Sequence, residues 1–324
     1  MGLIAKLRAA LGGGKFASEK NRNAVLQDRW LQLTHPFFSG RAYCSPDQRW
    51  VIGCKVFDNE SGNGRLVLVN YASDTVEHEL NSFVHPMGAA VSNTGTYILV
   101  DAGCGSELEG LLVAIDSRGN ELYRKCYHAN IFNIGISDCG RYAAVQTANA
   151  MNADADLFEI LDIKLGRPVF SRLPVTGWPD QYTFDTDGAG ELQAVGVVHK
   201  SLGEFFYSNH GEFRDQKAFQ DARLGIGHYV AKISAARELL QTTPTADNAI
   251  IALFAADEAL QEGAEDRADW GALAHHIRGE SYELLGQLPE AMAAFEQALR
   301  LNPKADTQNS ASSLRKKLDT NKLA

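Results

Sequence analysis

Gly12-Gly13-Gly14-Lys15 is a partial match to a phosphate-binding loop, in which backbone N–H groups cradle phosphate oxygens and a lysine meets their charge. The full loop needs glycine five positions before its last glycine, and Ser or Thr after the lysine. Ala9 and Phe16 stand there, so the segment reads as a linker. Asn152, Asp154 and Asp156 alternate as at the start of a calcium loop, but Leu157 replaces the required glycine and Ile163 the bidentate glutamate. These oxygens read as loop chemistry, as do Asp58, Asn59, Glu60, Asn63 and Gly64 and the pair Asp185 and Asp187. His275 and His276 are adjacent, so on a helix they point about 100° apart and cannot form the i, i+4 pair of a zinc protease. Ser313 and Lys316 have the spacing of a nucleophile and its base without the motifs that accompany them, and no G-x-S-x-G occurs. His35, His85, His128, His199, His210 and His228 are dispersed and read as core or rim. No catalytic, metal or cofactor site is expected, and the chain is not expected to be an enzyme.

The hydrophobic and charged fractions are ordinary for a soluble globular protein. At 324 residues the chain is long enough for two domains with real cores. A formal net charge of -9 argues against a general nucleic-acid binder. The five cysteines form no C-x-x-C pair, so reduced thiols in a cytoplasmic protein are expected. No apolar run approaches the ~20 residues that span a bilayer. Met1 to Leu11 is apolar but broken by Lys6 and Arg8, a poor signal peptide and a candidate amphipathic helix. Gly2 invites myristoylation, but Lys6 stands where Ser or Thr is wanted.

The elements that must position any binding surface come in two kinds of repeat. From about residue 35 to 216, four segments follow one plan of short apolar strands separated by polar turns. The first turn reads Ser45-Pro46-Asp47-Gln48-Arg49-Trp50, the second Ser92-Asn93-Thr94-Gly95-Thr96-Tyr97 and the third Ser137-Asp138-Cys139-Gly140-Arg141-Tyr142. The fourth is Asp185-Thr186-Asp187-Gly188-Ala189-Gly190. Ser and Asp bond to turn backbone, Gly supplies positive φ and the aromatic restarts a strand. Gln48 in place of glycine predicts a looser first turn. Third strands close at Asn70, Asp116, Asp162 and Asn209, and each copy is expected to end in a fourth strand. The period, about 46 residues, is that of a four-stranded blade. These segments resemble WD-repeat or related bacterial propeller blades, without the Trp-Asp dipeptide at blade ends. A closed four-bladed ring is expected, because closure protects edge strands, with residues 22–34 supplying or sealing a strand. An open, curved array of sheets, pairing with another copy, and an irregular β-sandwich are the alternatives.

Strand patterning stops near Phe219. Residues 228–243 and 246–262 show helical spacing, with Val230, Ile233, Ala236, Leu239 and Leu240 in the first, and Ile250, Leu253, Phe254, Ala256 and Leu260 in the second. Pro244 separates them, and Thr245 or Asp247 can cap the second. From Ala272 to Pro303, Gly279, Tyr282, Ala291, Phe295, Ala298 and Pro303 recur at intervals that resemble a tetratricopeptide repeat, a helix hairpin of about 34 residues. His275 and Arg278 depart from the pattern, where Trp and Leu are usual. Leu299 and Leu301 are expected to pack on a following helix, residues 305–318, with Leu314 and Leu318 inward. The fold class is thus a two-domain β + α chain. Its parts are an N-terminal helix or linker segment (1–34), a propeller-like antiparallel β domain (35–217) and a tetratricopeptide-type helical array (218–324).

The tetratricopeptide resemblance implies peptide binding in the groove lined by each repeat's first helix. Leu273, His276, Glu280, Glu283 and Leu284 are the residues it places there. Glu280 stands where relatives that grip a C-terminal carboxylate carry a basic or amide group, so a basic or mixed apolar peptide or helix is expected instead. The expected function is a noncatalytic scaffold or adaptor that binds a protein partner through the propeller face, the groove or both. A protein that sequesters its partner, as immunity proteins do, is a variant of this reading. A hydrolase or lactonase at the propeller mouth is the enzymatic alternative. Nucleic-acid or membrane binding through Lys6, Arg8, Lys15, Lys20, Arg22 and Arg29 is a third, diluted by Glu19 and Asp28. A homo-oligomer is compatible with all of these.

Overall fold

The computed structural model describes residues 22–56, 63–102, 109–303 and 307–321. The glycine-rich segment at 12–15, the apolar N-terminus, Lys20, Asp58, Asn59, Glu60 and Cys104 lie outside them. Two units result, Met1–Val195 with Asn209–Gly211, and Gly196–Ser208 with Glu212–Ala324.

The first sheet has six strands in chain order: β1 (Ala24–Gln27), β2 (Trp30–Leu33), β3 (Phe38–Cys44), β4 (Trp50–Lys55), β5 (Gly64–Asn70) and β6 (Thr75–Phe83). The second comprises β7 (Pro86–Val91), β8 (Tyr97–Asp101), β9 (Gly110–Ile115) and β10 (Glu121–Tyr127). The third comprises β11 (Ile131–Ile136), β12 (Tyr142–Thr147), β13 (Phe158–Asp162) and β14 (Arg167–Arg172). These three sheets are antiparallel meanders. The fourth has three strands, β15 (Gln181–Thr186), β16 (Leu192–His199) and β17 (Gly203–Ser208). Residues 24–33, inside the segment read as helix or linker, supply two strands, one of the roles read for 22–34.

Middle strands are mostly apolar and buried along their length because both of their faces are covered. Every residue of β8, β12 and β13 is buried. Ile52, Leu66, Leu99 and Val113 form a core shared by the first two sheets. Ile98, Leu112, Val145 and Leu161 do the same for the second and third. Phe158 of the third sheet stacks on Tyr182 of the fourth, ring centroids 5.8 Å apart. Among the described residues, no comparable packing joins the fourth sheet to the first. Packing between sheets thus follows chain order, first to second, second to third and third to fourth. The inner strands β11 and β15 keep partial exposure along their length.

The repeated turns fold alike. Ser45 Oγ accepts from Trp50 N at 3.0 Å, and Ser137 Oγ accepts from Tyr142 N at 2.9 Å. Asp187 Oδ1 accepts from Ala189 N and Glu191 N. The looser first turn expected from Gln48 is not found. Gln48 takes φ +59, beside +81, +77 and +79 at Gly95, Gly140 and Gly190. Its N–H bonds Ser45 O at 2.9 Å, as Gly140 N bonds Ser137 O at 2.8 Å. The turn's own hydrogen bonds hold a side-chain-bearing residue in the left-handed region, at a cost of about 1 kcal/mol. Gln48→Gly is therefore expected to stabilise the protein by about that much. An unchanged urea midpoint would contradict this.

Among the described residues, the fourth copy's expected fourth strand is reduced to a single antiparallel bridge, Tyr207 to Phe213. Helix α1 (Gln216–Gly225) follows β17 instead and seats Phe219 against Phe205 at 5.0 Å, with Phe213 and His199 beside it. Phe219, taken from sequence as the end of strand patterning, is a buried helix residue. Five helices follow: α2 (Tyr229–Thr242), α3 (Ala246–Gln261), α4 (Ala268–Leu284), α5 (Leu288–Leu301) and α6 (Thr307–Asn321). Thr245 is the residue that caps α3, its side chain accepting from Asn248 N. Consecutive helices pack as antiparallel neighbours. Among the described residues, no helix is long and apolar enough to cross a membrane.

Candidate protein-interaction surfaces

The hairpin α4–α5 is built on a close approach. A methyl group at Gly279 would lie 2.3 Å from the Phe295 ring, so only glycine admits that ring. Ala291, Phe295 and Leu314 are fully buried, with Tyr282 and Leu299 packed against them. Leu299 thus reaches α6 as expected. Leu301 lies beside Gly271 on α4, where a methyl would sit 3.1 Å from Leu301 Cδ1. The small residue at 271 leaves room for Leu301 inside its own hairpin. The side chain of Leu318 lies outside what the structure describes.

The two departures from the repeat pattern compensate each other. His275 is buried and its Nε2 lies 2.6 Å from Glu265 Oε1. Arg278 Nη1 lies 3.3 Å from His275 Nδ1, and Arg278 Nε lies 2.8 Å from Asp257 Oδ1 on α3. Arginine only donates, so Nδ1 accepts and Nε2–H donates to the carboxylate. A chain of four polar groups thus replaces the usual Trp and Leu and ties α4 to the preceding hairpin.

At 100° per residue, Leu273, His276, Glu280, Glu283 and Leu284 share an arc of about 100° on α4. Their surroundings differ. Leu273 packs on the core that α2, α3 and α4 share. His276 is held from both sides, Nδ1 2.9 Å from Thr307 Oγ1 on α6 and Nε2 3.1 Å from Glu280 Oε1. Glu280 and Glu283 are half-buried and Leu284 is exposed, so the solvent end of the arc is two carboxylates and a leucine.

The residues tested for chemistry have local work. Asn152 Oδ1 accepts from Asp154 N, Asp154 Oδ2 from His128 N, and Asp156 Oδ2 from Asn149 Nδ2. His275 and His276 point to different partners. Ser313 and Lys316 lie on the exposed side of α6. Cys54 is buried, and burial pushes its thiol up to about 12, which makes it a poor nucleophile. Among the described residues, no three His, Cys, Asp or Glu side chains converge as metal ligands.

One surface was not anticipated from sequence. The four polar turns hydrogen-bond to one another in order. Asp47 N and Trp50 Nε1 donate to Asn93, Asn93 N to Asp138 O, and Arg141 Nη1 to Gly190 O. The turn ends of the sheets therefore coincide, and so do their opposite ends. That opposite end gathers the loops leading into the inner strands β3, β7, β11 and β15. Carboxylates brace these loops: Asp101 accepts from Val84 N and His85 N, as Asp154 does from His128 N. Large apolar side chains stand exposed there, one near the start of each inner strand. They are Phe37, Met87, Phe132 and Trp178, at 77%, 54%, 54% and 48% exposure. Met151 and Leu173 in neighbouring loops are exposed as well. Phe132 and Trp178 stack with centroids 4.6 Å apart, and Asn133 Nδ2 bonds Pro179 O to fix the loop beneath them. The available signal was positional: each repeat places an apolar residue where a loop, rather than a core, surrounds it.

Residues 272–305 match the tetratricopeptide repeat family, and the six-helix array contains this repeat. No curated protein matches the chain. Among solved structures, the chain is similar to one in a mitotic checkpoint complex, at 10% identity and a TM-score of 0.35 over 57% of this chain and 59% of that one. It is similar to TolB from Acinetobacter baumannii, at 15% identity and 0.34 over 61% and 49%. It is similar to the WD40 domain of Neurospora crassa Pan2, at 10% and 0.34 over 58% and 61%. The matched part spans half to under two thirds of each of those chains.

Proposed function

We propose that this chain is a noncatalytic interaction protein, a scaffold or adaptor whose main contact is the loop end of the β sheets. The stacked, exposed pair Phe132 and Trp178 carries this reading. Rigid aromatic side chains lose little entropy on contact and dominate interface energetics. Around them, Phe37 and Met87 repeat the apolar character from sheet to sheet. The solvent end of the α4 arc, Glu280, Glu283 and Leu284, is a second contact suited to a basic or mixed apolar peptide or helix.

The test is affinity capture with the full chain, followed by titration of the captured protein. The Phe132→Ser and Trp178→Ser variants are expected to weaken binding about a hundredfold, the loss typical of central aromatic anchors. Glu280→Lys with Glu283→Lys is expected to weaken it less. Undiminished binding by the aromatic variants, with an unchanged melting curve, rules out this face.

A further inference from the structure

Helix α3 presents a second apolar surface, on the side away from its hairpin partners. Sequence spacing groups Ile250 and Phe254 with Ala256 as the apolar positions of this helix. The structure puts alanine inside and the large side chains outside. Ala249, Ala252, Ala255, Ala256 and Ala259 are buried, while Ile250 and Phe254 are 56% and 65% exposed and Ile251 is exposed beside them. The reason is distance: five alanines on one face let α2 and α4 approach α3 more closely than isoleucine or phenylalanine would allow. Helix α1 packs on α2 and touches α3 only sparingly. Between α1 and α3 an open cleft of about 470 Å³ remains, walled by Leu224 and Gly225 on one side and Ile250, Ile251 and Phe254 on the other.

Charge says what this cleft takes. Its charged lining groups are Asp221 on α1 and Glu258 on α3. Helix α3 carries Asp247, Asp257 and Glu258 and no lysine or arginine. At 100° per residue, Asp247 and Glu258 fall on the same face as Ile250, Ile251 and Phe254 and bracket them over about 16 Å. Nearby cations cancel only part of this. Lys217 pairs with Asp221 at 2.7 Å, but the buried Lys232 is shared between Glu258 at 2.7 Å and Glu262 at 2.6 Å, so that set keeps one net negative charge beside that of Asp247.

We propose that the α1–α3 cleft docks an amphipathic helix of a partner protein, with an apolar stripe that enters between the helices and basic residues that meet Asp221, Asp247 and Glu258. A helix fits because the cleft is a groove between two helices, lined along about two turns of α3, that a third helix can fill by ridge-in-groove packing. This site lies on a different face of α3 from the hairpin core and is independent of Phe132 and Trp178.

The experiment uses the full chain and a fluorescent helical peptide with leucine on one stripe and lysine on the other. Controls are the same composition scrambled and a version with glutamate for lysine. Saturable anisotropy is expected for the lysine peptide alone. Phe254→Ser is expected to weaken it about tenfold, and Asp221→Lys with Asp247→Lys severalfold, with further loss as salt rises. All three side chains are exposed, so the variants should melt as the parent does. Phe132→Ser is expected to bind the peptide normally, which separates this proposal from the function proposed above. Equal binding of the glutamate peptide, or indifference to Phe254→Ser, overturns the proposal. So does a concentration-dependent dimer that Phe254→Ser dissolves, because the occupant is then a second copy.

Discussion

Glu159→Leu is expected to destabilise the β domain by about 3 kcal/mol, the cost of removing one member of a buried charged set. Glu159 lies on β13 with 2% exposure. Its carboxylate accepts from Tyr127 Oη at 2.6 Å and from Lys125 Nζ at 2.7 and 2.9 Å, both on β10 of the neighbouring sheet. Leucine would leave a fully buried tyrosine hydroxyl with no acceptor and a half-buried ammonium without its counter-ion. Burial, followed by the charge of Glu159, raises the Tyr127 hydroxyl well above its ordinary range, so it stays a donor at any working pH. Urea denaturation should show a lower midpoint with an unchanged slope. Glu159→Gln should fall between parent and Glu159→Leu, because an amide oxygen still accepts from Tyr127. Adding Tyr127→Phe and Lys125→Met to Glu159→Leu should recover most of the loss, since no polar group then lacks a partner. A parent-like Glu159→Leu variant would show that these bonds do not hold the second and third sheets together.

Gly279→Ala is expected to destabilise the helical array by about 2 kcal/mol, although alanine for glycine inside a helix ordinarily stabilises by about 1 kcal/mol. The sign reverses because the added methyl would sit 2.3 to 2.8 Å from three atoms of the Phe295 ring. The ring is fully buried between Ala291 and Leu314 and has nowhere to retreat. Hydrogen exchange should show the loss across α4 and α5, and thermal melts by circular dichroism should show it globally. Phe295→Leu in the same chain should cost less with Gly279→Ala than alone, because each change relieves the other. Additive losses would mean that the approach of α4 and α5 is not set by this pair.

Much of the architecture is legible in the residues. Ser45 and Ser137 recur with their aromatic partners because each closes the same hydrogen-bonded turn, and Ser92 closes a turn one residue shorter on Thr96, so the blade-like period is visible before any sheet is. Gly279 with Phe295 and Ala291 marks a helix crossing because only that order of small and large fits one. The candidate surfaces were less legible. Leu273 and His276 share a helix arc with Glu280 and Glu283, yet one is core and the other is held by Thr307, a contact with a helix more than thirty residues away. Periodicity gives the face a residue occupies, not what covers that face.

The chain by itself determined the repeated turns, the middle strands and the helices after Tyr229, because these follow from local hydrogen bonding, backbone freedom and spacing along one element. Only the tertiary structure decided which of two apolar faces on α3 is buried, because that depends on how closely α2 and α4 approach, and alanine permits the shorter distance. Non-local packing likewise left Phe132 and Trp178 exposed and set α1 where a fourth strand was expected. Both candidate binding surfaces consist of apolar side chains that the folded elements leave uncovered, a property of the neighbours rather than of the residues.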